Sequence, residues 1–394
     1  MVETADVVII GGGVIGTSAA YNLAQKGSGK VLVLEKTGLA SGATGQAAGL
    51  VRHHYTNREL VELALYSSKK LEVFEEEMGQ EIGYVQNGLL LMLADDPESL
   101  ADTIEMQRDV GVELDVLEAQ EIKNFHPKGE MNMQGVGVGL YDKKAAYADP
   151  YKVTVGYANK ARELGAQVRN GVLVTDIKVE NGKVTKVSTN KGEIATNLVL
   201  NIAGPWASRI NEMVDVKNVP VGLMTLQHAL TYPDGDYEPM TPTIIDNSIP
   251  GNLYFVRPES GGTVLIGMDK DDPNKKVDPD NYYFDPPFNT LADLFGLIIG
   301  RMPFVKNYRF QNAFGAPDAV MPDWNPAFGC PNGAPKGYFC ALGFSGHGFK
   351  LAPAFGEMIA QMVRGEETKF DTGIFEIDRF EKGLALGSQQ NVMG

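Results

Sequence analysis

The sequence predicts a protein of the α/β class (α+β overall) with two structural domains, and three observations support this. A β-branched run near the N-terminus, DVVII, passes directly into a glycine-rich turn and a helical stretch. Further short apolar strands alternate with helices along the chain. The 394 residues suffice for two cores, and the sequence contains no low-complexity tract or short repeat. We therefore expect a globular protein that combines sheets with helices.

The first element is a Rossmann-like dinucleotide-binding unit. Residues 6–10 form a buried strand, GGGVIG forms the turn, and TSAAYNLAQKG forms the helix. Gly11 permits the turn, Gly13 lets backbone amides approach a pyrophosphate, and Gly16 lets the helix pack closely on the strand. A second strand, KVLVL, ends at Glu35, whose carboxylate accepts hydrogen bonds from ribose hydroxyls. This unit alone is compatible with both NAD and FAD.

The next stretch, KTGLASGATGQAAGLVRHHY at residues 36–55, favours FAD. Its many small residues allow a bulky planar group to lie against the backbone, as a flavin does. A nicotinamide site rarely needs such a stretch directly after the second strand.

The middle of the chain predicts a second, strand-rich region. Residues 86–144 contain a strand-like run, GLLLML, and a helix, ESLADTIEMQRDVG. Residues 151–164 form a helix, and residues 171–208 form a β-meander with an Asn-Gly turn, followed by a strand and the motif AGPW. Short strands such as NLYFV and TVLIG lie within residues 221–320.

The C-terminal region contains the motif MPDWNPAFG and the stretch GFSGHGFKLAPAFGE, residues 343–357. The run FCAL before this stretch predicts a strand. Pro353 suits the first turn of a helix that ends near Arg364, before Gly365. The helix N-terminus would then face the pyrimidine side of a flavin, where negative charge gathers on reduction.

Charge and cysteine content exclude several classes of partner. With 50 acidic and 35 basic residues, the net charge of −15 repels nucleic acids and anionic lipids. Two cysteines are too few for a disulfide framework, which favours a cytoplasmic location. No apolar run approaches the roughly 20 residues of a membrane span, and no basic leader precedes the first strand.

These motifs, in this order, resemble those of the FAD-dependent amine and amino-acid oxidoreductases of the D-amino-acid-oxidase type. The chain is most similar to the branch that contains sarcosine oxidase, glycine oxidase, dimethylglycine dehydrogenase and L-proline dehydrogenase. The resemblance extends over nearly the whole chain, including the RFEKG tail. It implies a discontinuous FAD-binding domain and a substrate domain built on a mixed or antiparallel sheet. The FAD-binding domain would comprise residues 1–85, 145–220 and 321–394, and the substrate domain residues 86–144 and 221–320.

The resemblance also implies the residues that bind FAD. They are Gly11, Gly13, Val14, Ile15, Gly16, Glu35, Lys36, Ser41, Gly42, Ala43, Thr44, Gln46, Ala47, Ala48, Gly49, Leu50, Val174, Ala203, Gly204, Trp206, Gly343, Ser345, Gly346, His347, Gly348, Phe349 and Lys350.

Two cations are candidates for binding a substrate carboxylate. Arg52 and Lys350 match the arginine and the lysine that perform this role in monomeric sarcosine oxidase, and an arginine fork can bind a carboxylate through two hydrogen bonds. The alternatives are a surface or interdomain ion pair for Arg52 and an exposed helix lysine for Lys350. Together, the two cations imply an α-amino or N-methylamino acid as substrate.

Other side chains admit two interpretations each. His347 either bonds near the flavin or satisfies turn carbonyls, and Tyr254 either forms an aromatic wall of the substrate pocket or lies in the core. His53 and His54 resemble half of a metal site, but neighbours on a strand point to opposite faces, so we expect no metal.

The chain departs from the family pattern at four positions. Gln46 replaces the histidine that carries covalent FAD in the dehydrogenases, and Ala316 replaces the cysteine that does so in monomeric sarcosine oxidase, which predicts non-covalent FAD. Leu265 replaces the lysine associated with oxygen activation, which leaves the acceptor open between oxygen and an electron-transfer partner. Asp269 replaces a substrate-site histidine and would favour a cationic or hydroxylated substrate.

The expected activity is oxidation of the C–N bond of a small secondary or N-methylated amino acid to an imine, by hydride transfer to flavin. Alternatives are an oxidase or dehydrogenase for primary amino acids or 2-hydroxy acids, and a flavin-bearing subunit of a hetero-oligomeric dehydrogenase. Oligomerisation is also possible. A plain NAD dehydrogenase would leave residues 343–357 without a role.

Overall fold

The computed structural model describes residues 3–125, 131–233, 242–259, 261–269, 278–281 and 285–385. The strands are β1 (Glu3–Thr4), β2 (Val7–Ile10), β3 (Val31–Leu34), β4 (Leu50–Val51), β5 (Leu89–Leu93), β6 (Leu114–Leu117), β7 (Val138–Asp142), β8 (Ala146–Tyr147), β9 (Gln167–Arg169), β10 (Val174–Glu180), β11 (Lys183–Thr189), β12 (Gly192–Ala195), β13 (Val199–Asn201), β14 (Gly222–Pro233), β15 (Thr243–Ile249), β16 (Asn252–Pro258), β17 (Val264–Asp269), β18 (Tyr308–Val320), β19 (Ala327–Gly329) and β20 (Tyr338–Leu342). The helices are α1 (Val14–Gln25), α2 (Arg58–Glu72), α3 (Phe74–Met78), α4 (Ala101–Val110), α5 (Ala119–Ile122), α6 (Pro150–Glu163), α7 (Ala207–Glu212), α8 (Phe288–Arg301) and α9 (Gly348–Arg364).

A six-stranded sheet in the order β19-β20-β13-β2-β3-β9 forms the first half of the fold. Its strands pair in parallel, except β19 with β20. Because side chains alternate along β2, Val7 and Ile9 pack in the cluster that includes α1 and α9, whereas Val8 and Ile10 pack against the β-meander. The strand–glycine turn–helix predicted at the N-terminus is confirmed.

The meander forms a separate sheet in the order β1-β12-β11-β10. Asn181 and Gly182 both adopt positive φ between β10 and β11, at 52° and 73°. This is the backbone conformation that an Asn-Gly hairpin turn requires, so the predicted turn is confirmed.

The second half is an eight-stranded sheet in the order β18-β14-β17-β16-β15-β5-β7-β6. It is mixed, because β15 and β5 pair in parallel and the other neighbours are antiparallel. One face, with Leu91, Phe255 and Leu265, joins the core that contains α1 and α9. The other face, with Tyr254 and Ile266, packs against α8. The predicted mixed or antiparallel second sheet is confirmed.

The C-terminal helix begins earlier than the sequence predicts. α9 starts at Gly348, so Pro353 lies inside the helix rather than in its first turn. Its end agrees with the prediction, since Gly365 closes α9 with a left-handed φ of 69°. Among the described residues, no helix has the length and apolar character to cross a membrane.

Candidate active site between the two sheets

A cavity of about 430 Å³ runs from the N-terminus of α1 to the eight-stranded sheet. Ile10, Leu34 and Ile202 line it at or just beyond the carboxyl ends of the parallel strands β2, β3 and β13. A ligand is expected at this edge of an open α/β sheet, because the loops after the strands diverge there. We therefore take this cavity as the candidate active site.

The glycine turn before α1 leaves no room for side chains at two positions. A Cβ on Gly11, whose φ is +121°, would lie 2.2 Å from the Ile202 carbonyl oxygen, and one on Gly16 would lie 2.1 Å from the Gly11 oxygen. At Gly13 the nearest atom to an added Cβ is Thr44 Oγ1 at 3.1 Å. The turn thus brings the backbone and the N-terminus of α1 directly to the cavity, which suits a pyrophosphate.

Glu35 is held at the end of β3 by backbone donors. Its Oε2 accepts a hydrogen bond from Gly12 N at 2.8 Å, and its Oε1 accepts one from Thr37 N at 2.9 Å. The carboxylate lines the cavity beside the glycine turn. This cradle fits the ribose of a dinucleotide cofactor.

A charged cluster lies at the cavity edge near the meander. Asp280 accepts hydrogen bonds from Trp206 Nε1 at 2.7 Å and from Lys36 Nζ at 2.8 Å, and it also pairs with Arg209. The Lys36 ammonium lies 3.7 Å from the centre of the Trp206 ring. The bonds from Lys36 and Arg209 hold the pKa of Asp280 well below its usual range.

The eight-stranded sheet supplies the opposite wall through Leu226, His228, Phe255, Ala316 and Asp318. The ring of His228 is edge-on to Phe255, with ring centres 5.4 Å apart. Burial lowers the pKa of His228 to about 4, so the imidazole is neutral at physiological pH.

Gly267 lies directly beneath these two rings. A Cβ there would lie 2.3 Å from the Phe255 ring and 2.6 Å from the His228 ring. Only a residue without a side chain fits between the two aromatic groups and β17.

Lys350 and Asp318 are charged groups in the cavity wall near Gly346. Lys350 is 7% exposed, and its ammonium donates to the Gly346 oxygen at 2.7 Å. Burial and the charge of Arg52 hold the pKa of Lys350 well below its usual value, while Asp318 acts in the other direction. Burial raises the pKa of Asp318 to about 6, against the effect of Lys350.

Most residues that the sequence assigned to the cofactor do line this cavity. They are Gly11, Gly13, Val14, Ile15, Gly16, Glu35, Lys36, Ser41, Gly42, Ala43, Thr44, Ala47, Ala48, Gly49, Leu50, Val174, Ala203, Gly204, Trp206, Gly346, Gly348, Phe349 and Lys350. The others are not among its lining residues. They are Gln46, Gly343, Ser345 and His347.

Packing explains two of these exceptions. A Cβ on Gly343 would lie 2.4 Å from the sulfur of Met321, and Ser345 Oγ donates to the Gly343 oxygen at 2.9 Å. Both residues therefore shape the turn before α9. Gln46 contributes its backbone, which is hydrogen-bonded to the His228 ring.

The expectation that Tyr254 lines the substrate pocket is wrong. Its hydroxyl donates to Asp246 at 2.6 Å in the core beneath α8, and Phe255 lines the cavity instead. The reason is the two-residue period of β16, which places adjacent side chains on opposite faces of the sheet.

Arg52 and His347 lie beside the cavity, not in its wall. Arg52 donates to the His54 carbonyl, and its guanidinium lies 4.7 Å from the centre of the Tyr55 ring. His347 Nε2 is 2.9 Å from the Trp324 carbonyl oxygen and its Nδ1 is 3.2 Å from the Tyr55 hydroxyl. His347 thus satisfies a turn carbonyl, and burial holds its pKa well below its usual value.

The adjacent histidines have different partners. His53 Nδ1 is 2.9 Å from Asp142 Oδ2, and His54 Nδ1 is 3.3 Å from Gln107 Oε1. The described residues contain no group of His, Cys, Asp or Glu side chains that could hold a metal ion.

Sequence reasoning did not identify His228, Phe255 or Asp318 as site residues. Asp318 could be predicted as a cavity residue from the sequence, because the resemblance places Ala316 near the flavin and residues two apart on a strand share a face. The alignment of His228 with Phe314 across β14 and β18 is a long-range register that no local signal shows.

Comparisons with known proteins agree with this geometry. The family profile described as FAD dependent oxidoreductase (DAO) matches residues 6–362. Human mitochondrial dimethylglycine dehydrogenase is 27% identical over 96% of this chain and 45% of its own length. The mitochondrial pyruvate dehydrogenase phosphatase regulatory subunit of Mus musculus is also 27% identical, over 98% and 44%. The chain thus spans about half the length of these curated relatives. The crystal structure of L-proline dehydrogenase from P. horikoshii superposes with a TM-score of 0.86 at 29% identity, over 97% of this chain and 99% of that one.

Proposed function

Because the chain belongs to the DAO family of FAD-dependent oxidoreductases, we propose that it oxidises the C–N bond of a small secondary or N-methylated amino acid to an imine. Bound FAD supplies the chemistry by accepting a hydride from the substrate carbon. The substrate would be sarcosine-like or proline-like. Two relatives, a dimethylglycine dehydrogenase and an L-proline dehydrogenase, support this class of substrate.

The observation that carries the proposal is the Lys350 ammonium in the cavity wall. Lys350 is nine-tenths buried and its ammonium donates to the Gly346 carbonyl oxygen, so a bound carboxylate would supply a directly paired negative charge. Arg52 adds positive charge close by, since it lowers the pKa of Lys350. We propose that Lys350 contacts the substrate carboxylate and that Arg52 strengthens the positive field from beside the cavity.

We further propose how the chain holds its cofactor. The glycine turn and the N-terminus of α1 bind the pyrophosphate, and Glu35 binds the adenosine ribose. Residues 346 and 348–350 and the strands β14 and β18 line the cavity and would hold the flavin. Ala316 offers no side-chain nucleophile there, which supports non-covalent FAD.

The division into domains is part of the same proposal. Residues 1–85, 145–220 and 321–394 would form the FAD-binding domain, and residues 86–144 and 221–320 the substrate domain. The strand order supports this division, since β5 to β7 and β14 to β18 share the eight-stranded sheet. We place the protein in the cytoplasm.

An anaerobic reduction screen tests the proposal. The holoprotein is mixed with sarcosine, L-proline, glycine or a 2-hydroxy acid without oxygen, and the flavin absorption band is followed. We expect sarcosine or proline to bleach the band. Bleaching by glycine or the 2-hydroxy acid alone would support the alternative donors, and no bleaching by any of the four would contradict the proposal.

Oxygen is then admitted to the reduced protein to identify the acceptor. We expect slow return of the band, because buried, apolar Leu265 stands where a lysine would assist reduction of oxygen. Fast return would identify an oxidase. Slow return together with a co-purifying redox subunit would support the hetero-oligomeric alternative.

A further inference from the structure

The wall that carries Lys350 also carries a negative charge that carboxylate binding does not use. Asp318 lies two residues after Ala316 on β18, and both line the cavity. Asp318 is mostly enclosed but keeps some surface open to the cavity, whereas its neighbours Ala316 and Ala319 are each 3% exposed. Because burying a carboxylate is costly unless it gains a partner, this residue is a candidate for ligand recognition.

Backbone contacts hold Asp318 beside Gly346, the residue whose carbonyl oxygen accepts a hydrogen bond from Lys350. The Asp318 carboxylate is hydrogen-bonded to the backbone of Gly346 and Ala319. Lys350 Nζ donates to the Gly346 carbonyl oxygen at 2.7 Å rather than to Asp318. One residue, Gly346, therefore holds an ammonium and a carboxylate as separate charges in one cavity wall.

The remaining surface nearby is apolar or neutral. Leu226 lies opposite Ala316, and the neutral His228 lies opposite Phe314, across β14 and β18. Met224 lies opposite Asp318 itself. Within the described lining of this wall, Asp318 is therefore the negative charge that faces Lys350.

We propose that Asp318 binds the cationic amine of the substrate while Lys350 binds its carboxylate, so that the site selects zwitterionic amino acids. The inference rests on the proposed function and assigns it a specificity-determining residue. A 2-hydroxy acid has no ammonium to offer Asp318 and is disfavoured. A carboxylate hydrogen-bonded to an ammonium contributes more than a neutral hydrogen bond, because one charge assists the other.

The pH dependence of this contact follows from the groups that face Asp318. Its pKa is about 6, so the carboxylate is charged above that pH and neutral below it. His228 on β14 has a pKa of about 4 and stays neutral across this window. Lys350 and His347 on the α9 side, and Arg52 beyond them, are the other charged or titratable groups. Attraction for an ammonium is thus lost as the pH falls through about 6.

Two ligands of the same shape isolate this contact. Trimethylglycine carries a permanent ammonium, and 3,3-dimethylbutanoate has carbon in place of the nitrogen. Each is titrated into FAD-loaded protein, and its Kd is read from the shift of the flavin band. We expect wild type to prefer trimethylglycine by about 10- to 100-fold through charge attraction alone, since its quaternary nitrogen has no N–H to donate. Asp318→Asn should abolish this preference with little change in the Kd of 3,3-dimethylbutanoate.

Further variants separate recognition from a structural role. Asp318→Glu keeps the charge and should restore part of the preference, while Asp176→Asn removes an exposed carboxylate on β10 and should leave it intact. In wild type the preference should decline between about pH 7 and pH 5.5, and in Asp318→Asn it should be flat. Equal losses for both ligands in Asp318→Asn, or no preference in wild type, would overturn the inference.

A substrate measurement covers the case in which trimethylglycine is too large. The apparent Kd of the amino acid that bleaches the flavin should rise at least about tenfold in Asp318→Asn. An unchanged Kd would also overturn the inference. Failure of the proposed function is distinct, because then no amino acid bleaches the wild-type flavin.

Discussion

Lys350 places a positive charge where the protein gives it little solvent and one backbone acceptor, the Gly346 oxygen. A buried cation of this kind is stabilised most by a ligand that carries a negative charge. Its role in binding can therefore be separated from any role in folding.

Lys350→Met should raise KM for a carboxylate substrate about 10- to 100-fold, because the charged hydrogen bond is lost while the aliphatic volume remains. Steady-state kinetics with the reactive amino acid measure this. Lys143→Met removes a lysine that is 45% exposed after β7 and serves as the control. An unchanged KM in Lys350→Met would mean that this lysine does not bind substrate.

Some residues of this site could be predicted from the sequence, and others could not. Glu35 and the glycines could be predicted, because a strand, a turn and a helix that are adjacent in sequence define their positions. For Tyr254 the sequence leaves a pocket wall and a core position open, since similarity alone does not show which face of β16 is turned toward the cavity. Asp318 and His228 depend on strands that are distant in sequence and meet only in the folded sheet.

At the scale of elements, the approach of α1 to β2 depends on Gly16. A methyl group there would overlap the oxygen of Gly11, which belongs to the turn that reaches the cavity. The start of α9, in contrast, differs from the sequence prediction. Sequence reasoning placed this start near Pro353, because proline is common in first turns, yet the turn of residues 343–347 lets the helix begin at Gly348.

Gly16→Ala should lower the FAD content of the purified protein and destabilise it by about 1–3 kcal/mol, the usual cost of overpacking. The ratio of flavin to protein absorbance and the thermal midpoint Tm measure the two effects. Gly38→Ala is the matched control, since an added Cβ there has no atom within 4 Å. Equal FAD content and Tm in the two variants would contradict the close approach of α1.

The C-terminal segment is tied to the loop after β18 by a buried ion pair. Arg379 donates to both oxygens of Asp323, at 2.7 and 2.8 Å, and is 2% exposed. Arg379→Met removes the arginine that balances the charge of this buried carboxylate, so we expect a loss of about 3–5 kcal/mol in the free energy of unfolding. Urea unfolding of the holoprotein measures it.

Arg364→Met provides the comparison for that loss. Arg364 is 31% exposed in its ion pair with Glu366, and removal of an exposed pair costs at most about 1 kcal/mol. A similar, small loss in both variants would show that the Arg379 pair contributes little to stability.

For the whole molecule, the two-sheet architecture could be predicted from sequence, and the relation between the sheets could not. Local patterns define the first strand, helix and meander. The shared core arises because Leu91 and Phe255 on one sheet pack in the same cluster as Ile9 on the other. That contact depends on the tertiary fold, as does the cavity that it leaves beside α1.

The attachment of FAD can be tested on the intact chain. Acid precipitation of the yellow holoprotein should release essentially all flavin into the supernatant, because Gln46 and Ala316 stand where relatives use a histidine or a cysteine for attachment. Absorbance of the supernatant and of the redissolved pellet measures it. A pellet that keeps its yellow colour would mean that another side chain forms the bond.

The position of Gly267 has a consequence for folding as well as for the cavity. A slip of β17 by one residue would place Ile266 or Met268 beneath the rings of Phe255 and His228, where even a methyl group is too large. The misaligned sheet would also turn its core residues toward the wrong face. The two rings that line the cavity therefore favour the register in which Gly267 lies beneath them, and the same contact that shapes the cavity helps to specify the pairing of β17.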